Sequence, residues 1–313
     1  MAKNNPLRLG SFIIIEFLDG IPLGEVMKNA NEADLKAIYR QISRVLLDLS
    51  GLEGNLIGSL TLDDNSSTCL SNWPLTRNLN ELFRLSNIRV DMPKGRTFGS
   101  SVEYAVELCN HHFTELRSRP NDDNRVGSAA CNLVHNTISR FVQDGNRFTL
   151  VCDDLGPGNM LWKDGQISGL FDLEFSYFAP PIFNCVTLDW LVSQDPRGDS
   201  PELDFLKFLW FLDELEQVEK EKGLRPDMSN SIKRSLDDNT FWYIRALKST
   251  FRIDHIYLKK LQHLSAMYRD AVNGGSRCNE KLGRSREQVK DAIMLGFFIG
   301  TAILSVYLWR RRG

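Results

Sequence analysis

The chain of 313 residues has no excess of basic charge. Its 38 Lys and Arg residues are matched by 40 Asp and Glu residues, so the formal net charge at pH 7 is −2. A nucleic-acid-binding domain normally carries a strongly basic face or stripe. The composition therefore argues against nucleic acid as a partner. The length is sufficient to bury a substantial core in one large or two smaller domains.

Metal-ligand cysteine spacing and a secretory signal are also lacking. The six cysteines form no CxxC pair, and they are Cys69, Cys109, Cys131, Cys152, Cys185 and Cys278. Scattered single cysteines are typical of reduced thiols in a cytosolic protein. The N-terminus lacks the basic and then apolar pattern of a secretory signal. We therefore expect a cytoplasmic protein.

An acidic turn between apolar runs is the most informative feature that the sequence does contain. The run Leu150–Cys152 leads into Asp153 and Asp154, and Asn159 follows five residues after Asp154. A later apolar run ends at Asp172. The spacing predicts that Asp154, Asn159 and Asp172 converge at the ends of two paired strands. The alternative is a β-hairpin with acidic turn residues and no chemistry.

These residue types suit phosphoryl transfer, in which positioning and charge neutralisation carry most of the rate. Asp154 is the candidate to orient an acceptor hydroxyl and accept its proton. Mg²⁺ prefers oxygen ligands and needs only one or two carboxylates from the protein, so Asn159 and Asp172 are the candidate metal ligands. The Gly156–Pro157–Gly158 segment predicts a tight turn that returns Asn159 towards Asp154.

The segment resembles the catalytic loop of the aminoglycoside phosphotransferase and choline kinase-like family. The family pattern is His-Gly-Asp, four residues, Asn, and then a strand ending in Ile-Asp-Trp-Glu; this chain has Cys152-Asp153-Asp154, Asn159 and Phe171-Asp172-Leu173-Glu174. Cys152 replaces the family His, as in similar Cys-Asp-Asp variants of the fungal branch. The resemblance implies a protein kinase-like α/β fold that uses ATP or GTP with Mg²⁺. It also implies a small-molecule hydroxyl as the acceptor, with Asp154 catalytic and with Asn159 and Asp172 on the metal.

A second segment, Phe12–Leu23, is similar to the strand, hinge and turn that join the two lobes of this family. The resemblance implies that main-chain groups of Glu16, Phe17 and Leu18 contact the edge of adenine. The residues themselves predict only a strand that leads into an Asp-Gly turn.

The Gly-rich loop and strand Lys of a kinase-like small lobe are missing before this hinge. Only Met1–Ser11 precede it. We expect residues 1–24 to be a remnant of the small lobe with the hinge, and residues 25–275 to be a mainly helical large lobe with a small catalytic hairpin region. The N-terminus is then truncated, the protein is a degenerate relative, or another chain supplies the missing half. The alternative function is accordingly a catalytically inactive pseudokinase or a binding scaffold.

Apolar periodicity predicts the elements around the turn. Glu32–Ser50 reads as a helix with Asn31 as its N-cap and Gly51 as its stop. A second helix is predicted from Ser101 to Leu116; its His111 and His112 are interpreted as surface or packing residues. The predicted strands are Phe148–Cys152, Asn159–Trp162 and Ile167–Asp172, with Asp164-Gly165 as a hairpin turn and a break in regular structure over Tyr177–Pro181.

The C-terminal run Ala292–Trp309 contains 18 residues without a charge and is followed by Arg310–Arg312. Such a run is just long enough to span a thin bilayer as a helix. It predicts either a transmembrane tail anchor, with the catalytic body on the cytosolic side, or a buried last helix.

Overall fold

The computed structural model of the chain describes residues 16–63, 65–80, 95–118, 135, 138–139, 142–145, 147–191, 205–238 and 240–248. These residues form a mixed α/β fold in which helices surround small antiparallel sheets, as the sequence predicts. The described helices are α1 (Leu23–Lys28), α2 (Glu32–Ser50), α3 (Ser101–Ser118), α4 (Phe205–Glu221), α5 (Asp227–Asp237) and α6 (Thr240–Lys248).

Helix α2 has the predicted bounds and caps. The Asn31 side chain accepts a hydrogen bond from the Asp34 N–H at 3.0 Å, and the Asp34 carboxylate accepts one from the Asn31 N–H at 3.3 Å. This reciprocal capping box satisfies two of the donors that a helix start leaves unpaired. The apolar stripe of α2 is buried and packs against α4, where the Tyr39 and Phe211 rings meet edge to face at 6.2 Å.

The strands form three small antiparallel sheets. They are β1 (Ile21–Pro22), β2 (Glu53–Gly54), β3 (Ser59–Leu62), β4 (Thr68–Asn72), β5 (Phe148–Cys152), β6 (Met160–Lys163), β7 (Gln166–Leu170) and β8 (Ser176–Ala179). Their orders are β1-β6-β7, β2-β5-β8 and β3-β4. Strand β5 is central in its sheet and all five of its residues are buried.

The turn between β6 and β7 is the predicted hairpin. Asp164 and Gly165 have φ values of 51° and 83°, so both lie in the left-handed region. Two successive left-handed residues match the twist of flanking strands, which explains why Asp-Gly signals such a turn. Lys163 and Gln166 close the hairpin as partners.

Tertiary packing overturns some local predictions. The predicted break over Tyr177–Pro181 is wrong in its first half, because β8 pairs with β5 through Tyr177, Phe178 and Ala179. His111 and His112 are not on the surface, with exposed fractions of 5% and 3%, so their packing interpretation holds. The third predicted strand ends at Leu170, and Asp172 lies beyond it.

No helix in the described part of the chain is long and apolar enough to cross a membrane. The predicted C-terminal span, Ala292–Trp309, lies outside the described residues. So does most of the predicted hinge strand, Phe12–Ile15. The division into residues 1–24 and 25–275 stays a prediction.

Candidate functional site

The acidic turn projects from the end of the buried strand β5. After Cys152 the chain turns through Asp153 and Asp154, and the Gly156 N–H donates to the Asp154 carbonyl at 2.8 Å. A single 3₁₀ turn, Pro157–Asn159, then leads into β6. Because this turn reverses the chain, it returns Asn159 to Asp154, as the Gly-Pro-Gly segment predicts.

Asn159 is bonded directly to Asp154. Its Nδ2 donates to the Asp154 carbonyl oxygen at 2.9 Å and to Asp154 Oδ2 at 3.1 Å. These two bonds fix the carboxylate relative to the backbone of the turn. The predicted proximity of the two residues is therefore found in the structure.

Asp172 lies at the same end of the β6–β7 hairpin as Asn159. The Phe171 N–H donates to the Asn159 carbonyl at 3.1 Å, and Asp172 follows directly. Asp172 is exposed and has left-handed backbone angles, with φ 53° and ψ 46°. A non-glycine residue in this region is uncommon and is often found at functional sites. Within the described ranges, no three His, Cys, Asp or Glu side chains form a ready metal cluster.

Arg77 forms an ion pair with Asp154 that the sequence did not predict. Its Nη1 lies 2.8 Å from Asp154 Oδ1, and the Arg77 and Asp154 side chains are 52% and 30% exposed. Thr76, the residue before Arg77, fixes the local backbone, since its hydroxyl accepts a hydrogen bond from the Leu79 N–H at 3.1 Å. Both oxygens of the candidate catalytic carboxylate thus have a partner. Nothing in the local sequence around Arg77 marks this contact.

Asp153 faces the interior, in contrast to Asp154. Its Oδ1 accepts from the Tyr177 hydroxyl at 3.1 Å and pairs with Lys248 Nζ at 2.6 Å. Cys152 is 2% exposed, and burial raises the pKa of its thiol. The thiol is therefore protonated at neutral pH and packs as a small apolar side chain in place of the family His.

The residues of the predicted hinge run beside the β6–β7 hairpin. The Asp19 carboxylate pairs with Lys163 Nζ at 2.6 Å, and the Ser168 hydroxyl donates to the Asp19 carbonyl at 2.9 Å. Leu18 packs over Gly169, where an added Cβ would lie 3.0 Å from Leu18 Cδ1. Glu16 is exposed and the Phe17 ring is 86% exposed. The adenine contacts of Glu16, Phe17 and Leu18 stay a prediction.

Trp190 forms a hydrogen bond to the backbone of the turn. Its indole Nε1–H donates to the Leu155 carbonyl at 3.0 Å. Leu155 itself is 1% exposed, so the residue after Asp154 is held in the core. The segment after β8 therefore supports the turn.

The sequence matches the phosphotransferase enzyme family (APH) over residues 3–209. A search of curated proteins finds no match. Similar solved structures include a thermostable mutant of aminoglycoside phosphotransferase APH(4)-Ia in ternary complex with AMP-PNP and hygromycin B, at 14% identity and a TM-score of 0.40, covering 82% of this chain and 70% of that chain. Another is the gentamicin complex of APH(2")-IIa, at 12% identity and a TM-score of 0.40, covering 80% of this chain and 68% of that chain. Since the family match spans more than half of the sequence, the chain belongs to the phosphotransferase enzyme family.

Proposed function

We propose that this protein transfers the terminal phosphate of ATP or GTP to a hydroxyl of a small molecule. Family membership supports the reaction class. The observation that carries the proposal for this chain is the bonded pair of Asp154 and Asn159 at the end of β5. Transfer of a phosphoryl group depends mainly on positioning, and this pair fixes a carboxylate in one orientation.

Asp154 is the proposed group that orients the acceptor hydroxyl and accepts its proton. A carboxylate needs one lone pair directed at the hydroxyl, within hydrogen-bonding reach. Asn159 holds Oδ2, and Arg77 lies at Oδ1. An acceptor that approaches Oδ1 therefore meets the guanidinium of Arg77, which has to share or leave that oxygen.

Asn159 and Asp172 are the proposed Mg²⁺ ligands, and their chemistry fits the ion. Asn159 uses its Nδ2 towards Asp154, so its remaining polar atom is the oxygen Oδ1, which a hard cation prefers. Asp172 adds an exposed carboxylate at the same end of the hairpin. Bound Mg²⁺ would supply neutralisation of phosphate charge. The chain's own contribution is to hold these oxygens at one end of the β6–β7 hairpin.

The decisive variant is Asp154→Asn, which keeps shape and removes the negative charge. We expect phosphorylation of an accepted alcohol to fall by about 10²- to 10⁴-fold, because proton transfer by a positioned side chain contributes about that much. Nucleotide affinity should change little. The matched control is Asp164→Asn in the β6–β7 turn, where Asn tolerates the left-handed backbone. Turnover of Asp154→Asn equal to that of the control would refute the assignment.

The Arg77 ion pair favours one alternative, a nucleotide-binding protein without transfer activity. In that case Arg77 keeps Asp154 Oδ1 occupied. Isothermal titration with Mg-ATP, followed by a screen of alcohol acceptors with labelled ATP, distinguishes the two. Magnesium-dependent binding with transfer supports the phosphotransferase, and binding without transfer in both wild type and Arg77→Ala supports the alternative.

A further inference from the structure

The carboxylate of Asp153 is buried at the base of the acidic turn. Its side chain is 5% exposed. Oδ1 has two partners, Tyr177 Oη at 3.1 Å and Lys248 Nζ at 2.6 Å. Oδ2 is also buried, and among the described residues it has no hydrogen-bond partner. A buried carboxylate with one unbonded oxygen depends strongly on the cation paired with it.

Tyr177 cannot provide the compensating charge. Burial raises the pKa of the Tyr177 hydroxyl well above its ordinary value, and the charge of Asp153 acts in the same direction. The phenol therefore stays protonated and serves only as a neutral donor. Lys248 is the residue that compensates the carboxylate.

Lys248 approaches the turn from a firmly held helix end. It is the last residue of α6, and its side chain is 10% exposed. A ring nitrogen of His112 bonds the preceding carbonyl, that of Leu247, at 2.9 Å. The ammonium lies 5.8 Å from the centroid of the Phe183 ring, so an aromatic ring packs beside it as well. The position of Nζ is thus set by the packing of α6 and not by the turn itself.

Asp153 links Lys248 to the neighbouring residue Asp154, the proposed catalytic residue. Its N–H donates to the Phe175 carbonyl at 3.1 Å, which connects the turn to the segment just after Asp172. Its side chain is held by Lys248, and the next residue is Asp154. With the backbone and side chain of Asp153 both fixed, the peptide that carries Asp154 has little freedom to rotate.

The pair is a feature of this chain and not of the family pattern. The family pattern has Gly where this sequence has Asp153, and Gly has no carboxylate to pair. The substitution of Gly by Asp would place an uncompensated charge in the core if position 248 were apolar. Asp153 and Lys248 therefore form one unit.

We propose that Lys248 is a positioning residue, which acts through Asp153 to hold the turn that presents Asp154 and Asn159. The catalytic meaning of this role rests on the proposed phosphotransferase function. In this role Lys248 acts through its ion pair with Asp153 and not directly on nucleotide or acceptor. Loss of the Lys248 ammonium therefore makes the turn less ordered and transfer slower, and leaves the nucleotide affinity nearly unchanged.

The test compares Lys248→Met, Lys248→Arg and the double variant Asp153→Asn/Lys248→Met by hydrogen exchange of the full chain. Amide hydrogens within residues 154–159, where Pro157 has none, should exchange at least about 10-fold faster in Lys248→Met, while amides in the middle of α2 keep their protection. Lys248→Arg should restore most of the protection because it keeps the charge. The double variant has no unpaired buried charge, so it should fold, but its turn should still exchange faster than that of wild type because the ion pair that holds Asp153 is gone. The matched control is Lys222→Met, whose ion pair with Asp48 is on the surface.

The same variants are assayed for transfer. We expect Lys248→Met to lower kcat by at least about 10-fold with the nucleotide KM within about threefold, and Lys248→Arg to recover kcat. Unchanged exchange at residues 154–159 relative to Lys222→Met overturns the positioning role. So does faster exchange spread evenly over the chain. If Lys248→Met does not fold, the double variant decides: faster exchange confined to residues 154–159 supports the positioning role, and exchange there equal to that of Lys222→Met overturns it. A wild-type protein that binds no Mg-nucleotide overturns the proposed function instead. The exchange result then still decides whether Lys248 orders the turn.

Discussion

Replacing Asn159 by Asp changes the charge of the acidic turn without changing its shape. In the native turn Asn159 Nδ2 donates to two oxygens of Asp154, the carbonyl at 2.9 Å and Oδ2 at 3.1 Å. In Asn159→Asp both donors are lost and a second carboxylate faces the first. We therefore expect the folded state to lose stability while its packing stays intact.

The magnitude follows from the separation of the charges. Two unit charges 3.1 Å apart repel by about 1.3 kcal/mol in water and by about 5 kcal/mol at an effective dielectric constant of about 20. The Asp154 side chain is 30% exposed and already paired with Arg77, so the lower half of this range applies. With the lost hydrogen bonds included, we expect a loss of about 2–3 kcal/mol in the free energy of unfolding. This is a fall of several degrees in Tm.

The assay is urea and thermal unfolding at low ionic strength, with and without Mg²⁺. A carboxylate is a stronger ligand for a hard cation than an amide, and the cation neutralises the repulsion. The difference between Asn159→Asp and wild type should therefore shrink as Mg²⁺ is added. Ca²⁺ and a matched concentration of NaCl separate specific binding from screening.

The exchanged variant Asp154→Asn/Asn159→Asp is the control. It restores one carboxylate facing one amide, so most of the lost stability should return, while transfer should be as slow as in Asp154→Asn. Two results would refute the reasoning. One is a single variant as stable as wild type, and the other is an exchanged variant no more stable than the single one.

Three further predictions concern the body of the fold. Gly54→Ala should destabilise by about 1–3 kcal/mol, because the new Cβ would lie 2.7 Å from a ring carbon of Phe178 on β8, the strand on the other side of β5. Gly145→Ala meets no atom within 4 Å and should be neutral. His111 is buried, and burial, together with neighbouring positive charge, lowers its pKa to about 4. Its folded pKa is below the unfolded value of about 6.5, so its contribution to stability is complete above pH 6.5. Up to about 3 kcal/mol is lost as the pH falls towards 4; His111→Leu should flatten that part of the pH profile. Glu219 is 1% exposed and accepts bonds from the Met228 N–H at 2.8 Å and the Ser229 hydroxyl at 2.5 Å at the start of α5. Glu219→Ala should therefore cost about 1.5–3 kcal/mol.

Each of these is checked by equilibrium unfolding. Equal stability of Gly54→Ala and Gly145→Ala would show that β2 moves away from β8 without cost. A pH profile of His111→Leu that matches wild type between pH 6.5 and 4 would assign the acid sensitivity to other groups. Glu219→Ala at wild-type stability would mean that water replaces the carboxylate at the start of α5.

The sequence determined those elements whose partners are close along the chain. The capping box of α2 links Asn31 to Asp34, and the hairpin turn is formed by the adjacent residues Asp164 and Gly165. The contact of Asn159 with Asp154 spans only five residues. Because such contacts depend on residue type, spacing and backbone preference, each has a local pattern that can be recognised before the fold is known.

Tertiary structure decided the contacts between distant segments. The Arg77 contact with Asp154 spans 77 residues, and the Lys248 contact with Asp153 is longer still. Strand β8 exists because β5 offers it a buried edge, although its sequence of aromatics followed by prolines suggested a break. Whether a carboxylate is exposed like Asp172 or buried and paired like Asp153 depends on what packs over it. The residue type alone does not contain that information, since it follows from the arrangement of elements far apart in the chain.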